Sequence, residues 1–330
     1  MKELHRARRV GITAIACALL MRLFAADLPE KLLSRLTEPN TAASATEQET
    51  GHPVRFSSSM DVFSPVFMES PPPSIPEVRK VPLPSFSGEE SVKLYYAANI
   101  QPDIPALLQK PLQWDLTGEE PRILILHTHA TESYSRRGEN YKESSAWRTL
   151  DEEYNMIAIG ELVAGILEES GISVIHDKSL HDYPSYSGSY IRSRKTLRQL
   201  LKEYPGIQMV LDLHRDASGE EAGQMRTRAE VEGETSAQLM VVIGTNHENY
   251  EENLSLGLKL HAFLEQRSPG IMRPLQLRAQ RFNQDLNDGA LLIEVGAAGN
   301  SHGEARLAAT QLAEAVIALA KGTVTEESTE

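Results

Sequence analysis

ILILHTHATESY, residues 123–134, begins with four aliphatic residues and then places His127, His129 and Glu132 on the chain immediately beyond them. A short, uninterrupted apolar run bounded by polar residues is the signature of a strand covered on both faces. The same signature recurs along the chain. Strands are expected at ISVIHD (172–177), QMVLDLH (208–214), AQLMVVIGT (237–245), PLQLRA (274–279) and ALLIEVG (290–296). Between them, apolar residues recur at helical spacing in NMIAIGELVAGILEES (155–170), YIRSRKTLRQLLKEY (190–204), NYEENLSLGLKLHAFLEQR (249–267) and GEARLAATQLAEAVIALAKG (303–322). Gly171, directly after the first of these helices, is a stop signal. Strands alternating with amphipathic helices predict an α/β domain over 94–325. Its sheet should be mostly parallel and covered by helices on both faces.

In open sheets of this class, ligands bind beyond the carboxyl ends of the strands. Three strand ends there carry ionisable groups: HTHATE, LDLHRDA and LIEVG. A lone histidine at a strand end is most often a hydrogen-bonded structural residue. Glu294 inside LLIEVG is harder to explain that way, because an unpaired buried carboxylate is costly and calls for a charged or metal partner. Taken together the groups fit a hydrolytic zinc site. Catalytic zinc takes three His or carboxylate ligands, keeps a fourth position open for water, and lowers the pKa of that water toward about 7. His129 and Glu132, in H-x-x-E spacing, and His214 from a neighbouring strand make the ligand set. Glu294 is then the general base and acid. His127 is an alternative to His129, since residues two apart share a face in an extended segment. Asp151, in TLDEEYN, is an alternative carboxylate to Glu132.

Composition narrows the remaining possibilities. A formal net charge of -13 over 330 residues is the wrong sign for a nucleic-acid binder. Cys17 is the single cysteine, so neither an intrachain disulfide nor a cysteine zinc site can form. At the N-terminus, Lys2, Arg6, Arg8 and Arg9 precede an apolar run from Val10 to Ala26 broken by Arg22. That pattern predicts a signal anchor over 1–26 with the basic end cytoplasmic and the rest of the chain exported. Ala18 to Met21 continue the apolar run past Cys17, which argues against lipidation there. Residues 27–93, rich in polar residues and proline, are expected to form a disordered, partly extended spacer.

The blocks HTHATESY, TLDEEYNMIAIG, HDYPSYSGSYIRSR, VLDLHRDA, VVIGTN and RFNQDLNDGALLIEVG, in this order and behind an N-terminal anchor, resemble the stage II sporulation protein P family of endospore-forming bacteria. The resemblance implies a fold similar to zinc-dependent N-acetylmuramoyl-L-alanine amidases and, more distantly, zinc carboxypeptidases. It also implies a peptidoglycan hydrolase acting during engulfment. Such an enzyme cuts the amide between N-acetylmuramic acid and L-alanine, and peptide cross-links as well. The implied location is the mother-cell membrane, with the catalytic domain extracytoplasmic, and the implied partners are stage II sporulation proteins D and M. His129 and His214 fall on the family's histidine motifs and Glu294 on its acidic one. The chain departs from the pattern at Ala130, where threonine is expected, and in VGAAGNSHGEA after Glu294. Arg192 and Arg194 are candidates for pairing with stem-peptide carboxylates, and Asn283 and Gln284 for binding sugar or peptide amides. His176 and His181 are expected to be structural. His247, His261 and His302 carry no site argument.

Overall fold

A computed structural model describes residue 86 and residues 92–97, 100–112, 115–116, 118–136, 147–217 and 225–321. The expected anchor over 1–26 and nearly all of the expected spacer lie outside them. No helix among the described residues is long and apolar enough to cross a membrane.

The chain runs β1 (Leu94–Ala97), α1 (Ile104–Gln109), β2 (Ile123–Leu126), α2 (Met156–Glu169), β3 (Val174–His176), α3 (Ser189–Glu203), β4 (Met209–Asp216), β5 (Ala229–Val231) and β6 (Glu234–Ser236). It continues through β7 (Leu239–Gly244), α4 (Tyr250–Arg267), β8 (Leu275–Arg278), a 3-10 turn (Gln284–Leu286), β9 (Ala290–Ala297) and α5 (His302–Lys321). Each strand and helix anticipated from periodicity is present, with ends moved by one or two residues. Local chemistry accounts for several ends. The Asn155 side chain accepts the amide of Ile157 at the start of α2, an N-cap bond. Gly171, at φ 85°, ends that helix in the left-handed conformation only glycine adopts freely.

Seven strands form one sheet in the order β1-β8-β7-β9-β4-β2-β3. Its pairings are parallel except where β7 meets β9. Side chains alternate across a strand, and the two faces are covered unequally. Ile123, Ile125, Leu211, Leu213 and Ile293 join the main core with the buried sides of α2, α4 and α5. On the other face, Leu124, Leu126 and Val210 pack with Leu197 of α3, and Met240, Val242 and Leu292 gather with Phe282. Among the described residues this second face therefore has one long helix against it. Asp212 and His214 follow Val210 on this face at period two, and Glu294 follows Leu292. Asp212, His214 and Glu294 thus sit on the thinly covered side, within β4 and β9, while His129 and Glu132 lie just past the end of β2.

Beside Glu294 the ladder is irregular. His214 pairs with Glu294 but Asp216 pairs with Ala297, so β9 carries one extra residue, a bulge of the kind that re-aims side chains near sites. Gly296 sits in it at φ 70°, and a Cβ there would come within 2.8 Å of the Ala237 methyl. That position accepts only glycine without strain.

Candidate metal and acid–base site

The turn after β2 is built by hydrogen bonds that aim His129 and Glu132 at β4. Thr128 donates its backbone N–H to Asp212 Oδ1 (2.8 Å) and its hydroxyl to Asp212 Oδ2 (2.6 Å). The Glu132 amide then bonds the His129 carbonyl at 3.1 Å, and the Thr149 amide bonds the Thr131 carbonyl at 2.8 Å. Asp182 holds the same turn by accepting from the Thr131 hydroxyl (2.5 Å) and from Arg148 (2.8 Å). Four groups converge as a result. The His129 and His214 rings meet edge to face, with centroids 5.2 Å apart. His214 Nδ1 lies 3.6 Å from Glu132 Oε2. Glu294 is the direct register neighbour of His214.

Each group is electrostatically distinct. Burial and the neighbouring His214 push His129 down to about 4, so its imidazole is neutral at pH 7, and its Nδ1 is buried with no hydrogen-bond partner. For Glu132, burial opposes ionisation, but the Arg215 guanidinium and His214 outweigh it and hold the carboxyl at about 2. Arg215 and Arg148 both stand 3.6 Å from Oε1 of Glu132, while Oε2 takes the Arg215 backbone amide at 3.2 Å. His214 is pulled down by burial, yet the flanking Asp212 and Glu132 carboxylates carry it well above its ordinary value. Its Nε2 is 3.0 Å from Asp212 Oδ1, close but turned away from good hydrogen-bond alignment. Burial lifts Glu294 to about 8, and its Oε2 has no hydrogen-bond partner. A carboxyl poised near neutrality is suited to moving protons.

The Glu294 shift has a consequence for stability. The folded chain keeps a proton on Glu294 up to about pH 8, whereas the unfolded chain releases it near the usual 4.5. Stability of the metal-free protein therefore falls as pH rises through that window and levels off above it, by on the order of a few kcal/mol. Glu294→Gln should remove this contribution. Denaturant titrations of parent and variant, both metal-stripped, should coincide below about pH 4.5 and separate in the variant's favour above about pH 8. Curves that stay parallel throughout would contradict a buried, protonated Glu294.

Several residues singled out in the sequence are placed elsewhere. His127 projects to the opposite face, because the chain is extended only as far as the turn at Thr128. Its Nδ1 faces the Leu213 carbonyl at 3.1 Å and its Nε2 faces His176 Nε2 at 2.9 Å. The pair packs under Gly160 of α2, where any Cβ would run into both rings. Asp151 is exposed and accepts the Glu153 amide. Neither is brought to His214. His181 is structural, as expected, with Nε2 3.0 Å from Asp177.

The expected substrate-binding residues turn out to be engaged in folding. Arg192 donates to the carbonyls of His181, Ser185 and Ser187, organising the loop before α3. Arg194 forms a two-pronged pair with Asp285 at 2.6 and 2.7 Å. Asn283, at φ 60°, donates to the Tyr190 carbonyl (3.0 Å) and to Ser193 Oγ (3.1 Å). Gln284 bonds the Gly244 amide and the Val242 carbonyl. Buried polar groups need such partners, and these dock α3 onto the segment before β9. The sequence reading missed Asp212, Arg148 and Arg215. It also missed Tyr186, which stacks on His129 with centroids 4.3 Å apart, and Tyr190, which stacks on His214 at 6.4 Å.

Two imidazoles and a carboxylate are the donor types of catalytic zinc, and His129 Nδ1 has no hydrogen-bond partner among the described residues. Among the described residues, no three His, Cys, Asp or Glu side chains are already drawn in around one point. The fit therefore rests on donor identity and proximity. A cavity of about 520 Å³, lined in part by Gln208 and Gly289, lies at the start of β4 and β9 and holds none of these groups.

A family model described as Stage II sporulation protein P matches residues 43–317. The chain belongs to that family. It is 28% identical over 261 residues to "Stage II sporulation protein P" of Bacillus subtilis (strain 168), covering 74% of this chain. The chain spans about 60% of the length of that relative. Among solved structures, an N-acetylmuramoyl-L-alanine amidase from Clostridium difficile 630 matches at 14% identity and a TM-score of 0.38, over 64% of this chain and 100% of that one. The CwlD amidase of Clostridioides difficile, solved in complex with the GerS lipoprotein, matches at 13% identity and a TM-score of 0.36, over 61% of this chain and 95% of that one. Likenesses this loose carry no mechanistic weight.

Proposed function

We propose that this chain is a zinc-dependent peptidoglycan hydrolase of sporulation. It cleaves the amide between N-acetylmuramic acid and L-alanine, and peptide cross-links as well, during engulfment. Family membership supports the setting. The observation that carries the chemistry is the largely buried Glu294 carboxyl beside His214, whose Oε2 is buried with no hydrogen-bond partner among the described residues, within the same cluster as His129 and Glu132. His129, Glu132 and His214 would hold the zinc. When bound, the ion supplies Lewis acidity and a water that ionises near neutral pH.

The chain's own groups do the rest. Glu294 accepts the proton of the attacking water and delivers it to the departing amine of L-alanine. It is the only one of the four held near neutrality, whereas Glu132 is held ionised by Arg215. Asp182 and the Thr128–Asp212 bonds keep the His129–Glu132 turn in place. The exposed Tyr186 ring stacks on His129 and would offer the glycan a flat contact beside the zinc ligands. The enzyme acts at the outer face of the cytoplasmic membrane, tethered through residues 1–26, and works with stage II sporulation proteins D and M. Removing metal from the purified full-length chain with a strong chelator should abolish solubilisation of isolated wall. Stoichiometric zinc should restore it, and magnesium or calcium should not. Full activity in the chelated protein would overturn the zinc reading.

A further inference from the structure

We infer that Asp212 is a positioning residue that fixes His214 and the His129–Glu132 turn together, so that His214 presents Nδ1 to the other donors. The inference builds on the reading of this cluster as a zinc centre. Asp212 lies two residues before His214 on β4, so the strand's period puts both side chains on one face. In the parallel ladder it is opposite Leu126, the last residue of β2, at the point where the chain leaves the sheet to form the turn. Asp212 is 6% exposed, and its carboxylate is shared between the two segments. Oδ1 takes the Thr128 amide at 2.8 Å and stands 3.0 Å from His214 Nε2, and Oδ2 takes the Thr128 hydroxyl at 2.6 Å.

A metal-ligating imidazole almost always turns its other ring nitrogen to a carboxylate, carbonyl or water. A carboxylate behind that second nitrogen settles which is which and sets the plane of the ring. Here the Asp212 carboxylate stands at ion-pair distance from Nε2, 3.0 Å, which leaves Nδ1 toward Glu132, 3.6 Å away. Loss of such a partner typically weakens metal binding about 10- to 100-fold. A clamp acting through Thr128 alone would survive in asparagine, which still accepts the Thr128 amide, and would leave zinc affinity unchanged in that variant.

Asp212→Asn and Asp212→Ala separate the two roles. Asparagine keeps an acceptor for the Thr128 amide, and the Thr128 hydroxyl can turn to Ser193 Oγ, 2.9 Å away, so the fold survives while the charge is lost. Zinc affinity of the purified full-length chain is read by competition with a chromophoric chelator, and ligand geometry by the visible bands of the cobalt-loaded protein. Parent chain should bind one zinc. Asp212→Asn should bind it about 10-fold more weakly and Asp212→Ala up to about 100-fold more weakly, both with altered cobalt bands. Thr128→Ser, which keeps the hydroxyl, should match the parent. Parent-like zinc affinity and cobalt bands in Asp212→Asn would overturn the inference, even if Asp212→Ala failed to fold. A parent chain that takes up no zinc would overturn the zinc reading itself, and the inference with it.

Discussion

Glu294→Gln is expected to lose about 10²- to 10⁴-fold in wall-hydrolysing turnover while retaining its zinc. That range is what a positioned general acid–base contributes. Glutamine preserves the shape of the side chain and its place in β9 between His214 and Met240, and removes only the capacity to carry a proton. A fourth protein ligand would close the position that water must occupy, and His129, Glu132 and His214 already supply three. Metal analysis and muropeptide release measured on the same preparation decide the matter. A variant that is inactive because its zinc has gone would make Glu294 a ligand and displace Glu132 from that role.

His214→Ala is expected to lose both zinc and hydrolysis, and stability as well. Its imidazole lies between two buried carboxylates, Asp212 at 3.0 Å and Glu132 at 3.6 Å. Deleting one partner of a buried charged pair typically costs about 3–5 kcal/mol, because the remaining charges lose their compensation. His129→Ala is the contrasting case. His129 is neutral at pH 7 and its Nδ1 has no hydrogen-bond partner among the described residues, so its loss should remove zinc with a smaller stability penalty. Zinc content and denaturant midpoints of the two variants test the distinction. Full zinc occupancy in His214→Ala would exclude it as a ligand.

Much of this was legible in the sequence because burial and periodicity act locally. Runs such as ILIL and VVIG have one cheap conformation in an α/β core, and the caps Asn155 and Gly171 mark helix ends by chemistry that needs no tertiary context. The hairpin of β5 and β6 escaped notice because its strands are short and carry Glu230 and Glu234. Its turn at Glu232–Gly233, with φ of 53° and 88°, is the clearer signal. His127 was ambiguous for a definite reason: period two holds only while the backbone stays extended, and the Thr128–Asp212 bonds end that. Arg192, Arg194 and Asn283 looked available to substrate because their partners, carbonyls at 181–187 and Asp285, are chosen by loop conformation, which no periodicity encodes. Asp212 could have been found. The cost of burying a carboxylate, which singled out Glu294 in LLIEVG, applies equally to the aspartate in MVLDLH.

Mass spectrometry of isolated peptidoglycan digested by the zinc-loaded full-length chain is the most direct test of the proposed chemistry. Free stem peptides beginning with L-alanine, together with glycan strands bearing unsubstituted muramic lactyl groups, should appear. They should be absent when Glu294→Gln is used in its place. Shortened cross-links with every stem still attached to muramic acid would contradict amide cleavage and make the chain an endopeptidase, and an undigested wall would leave it a non-catalytic binding module.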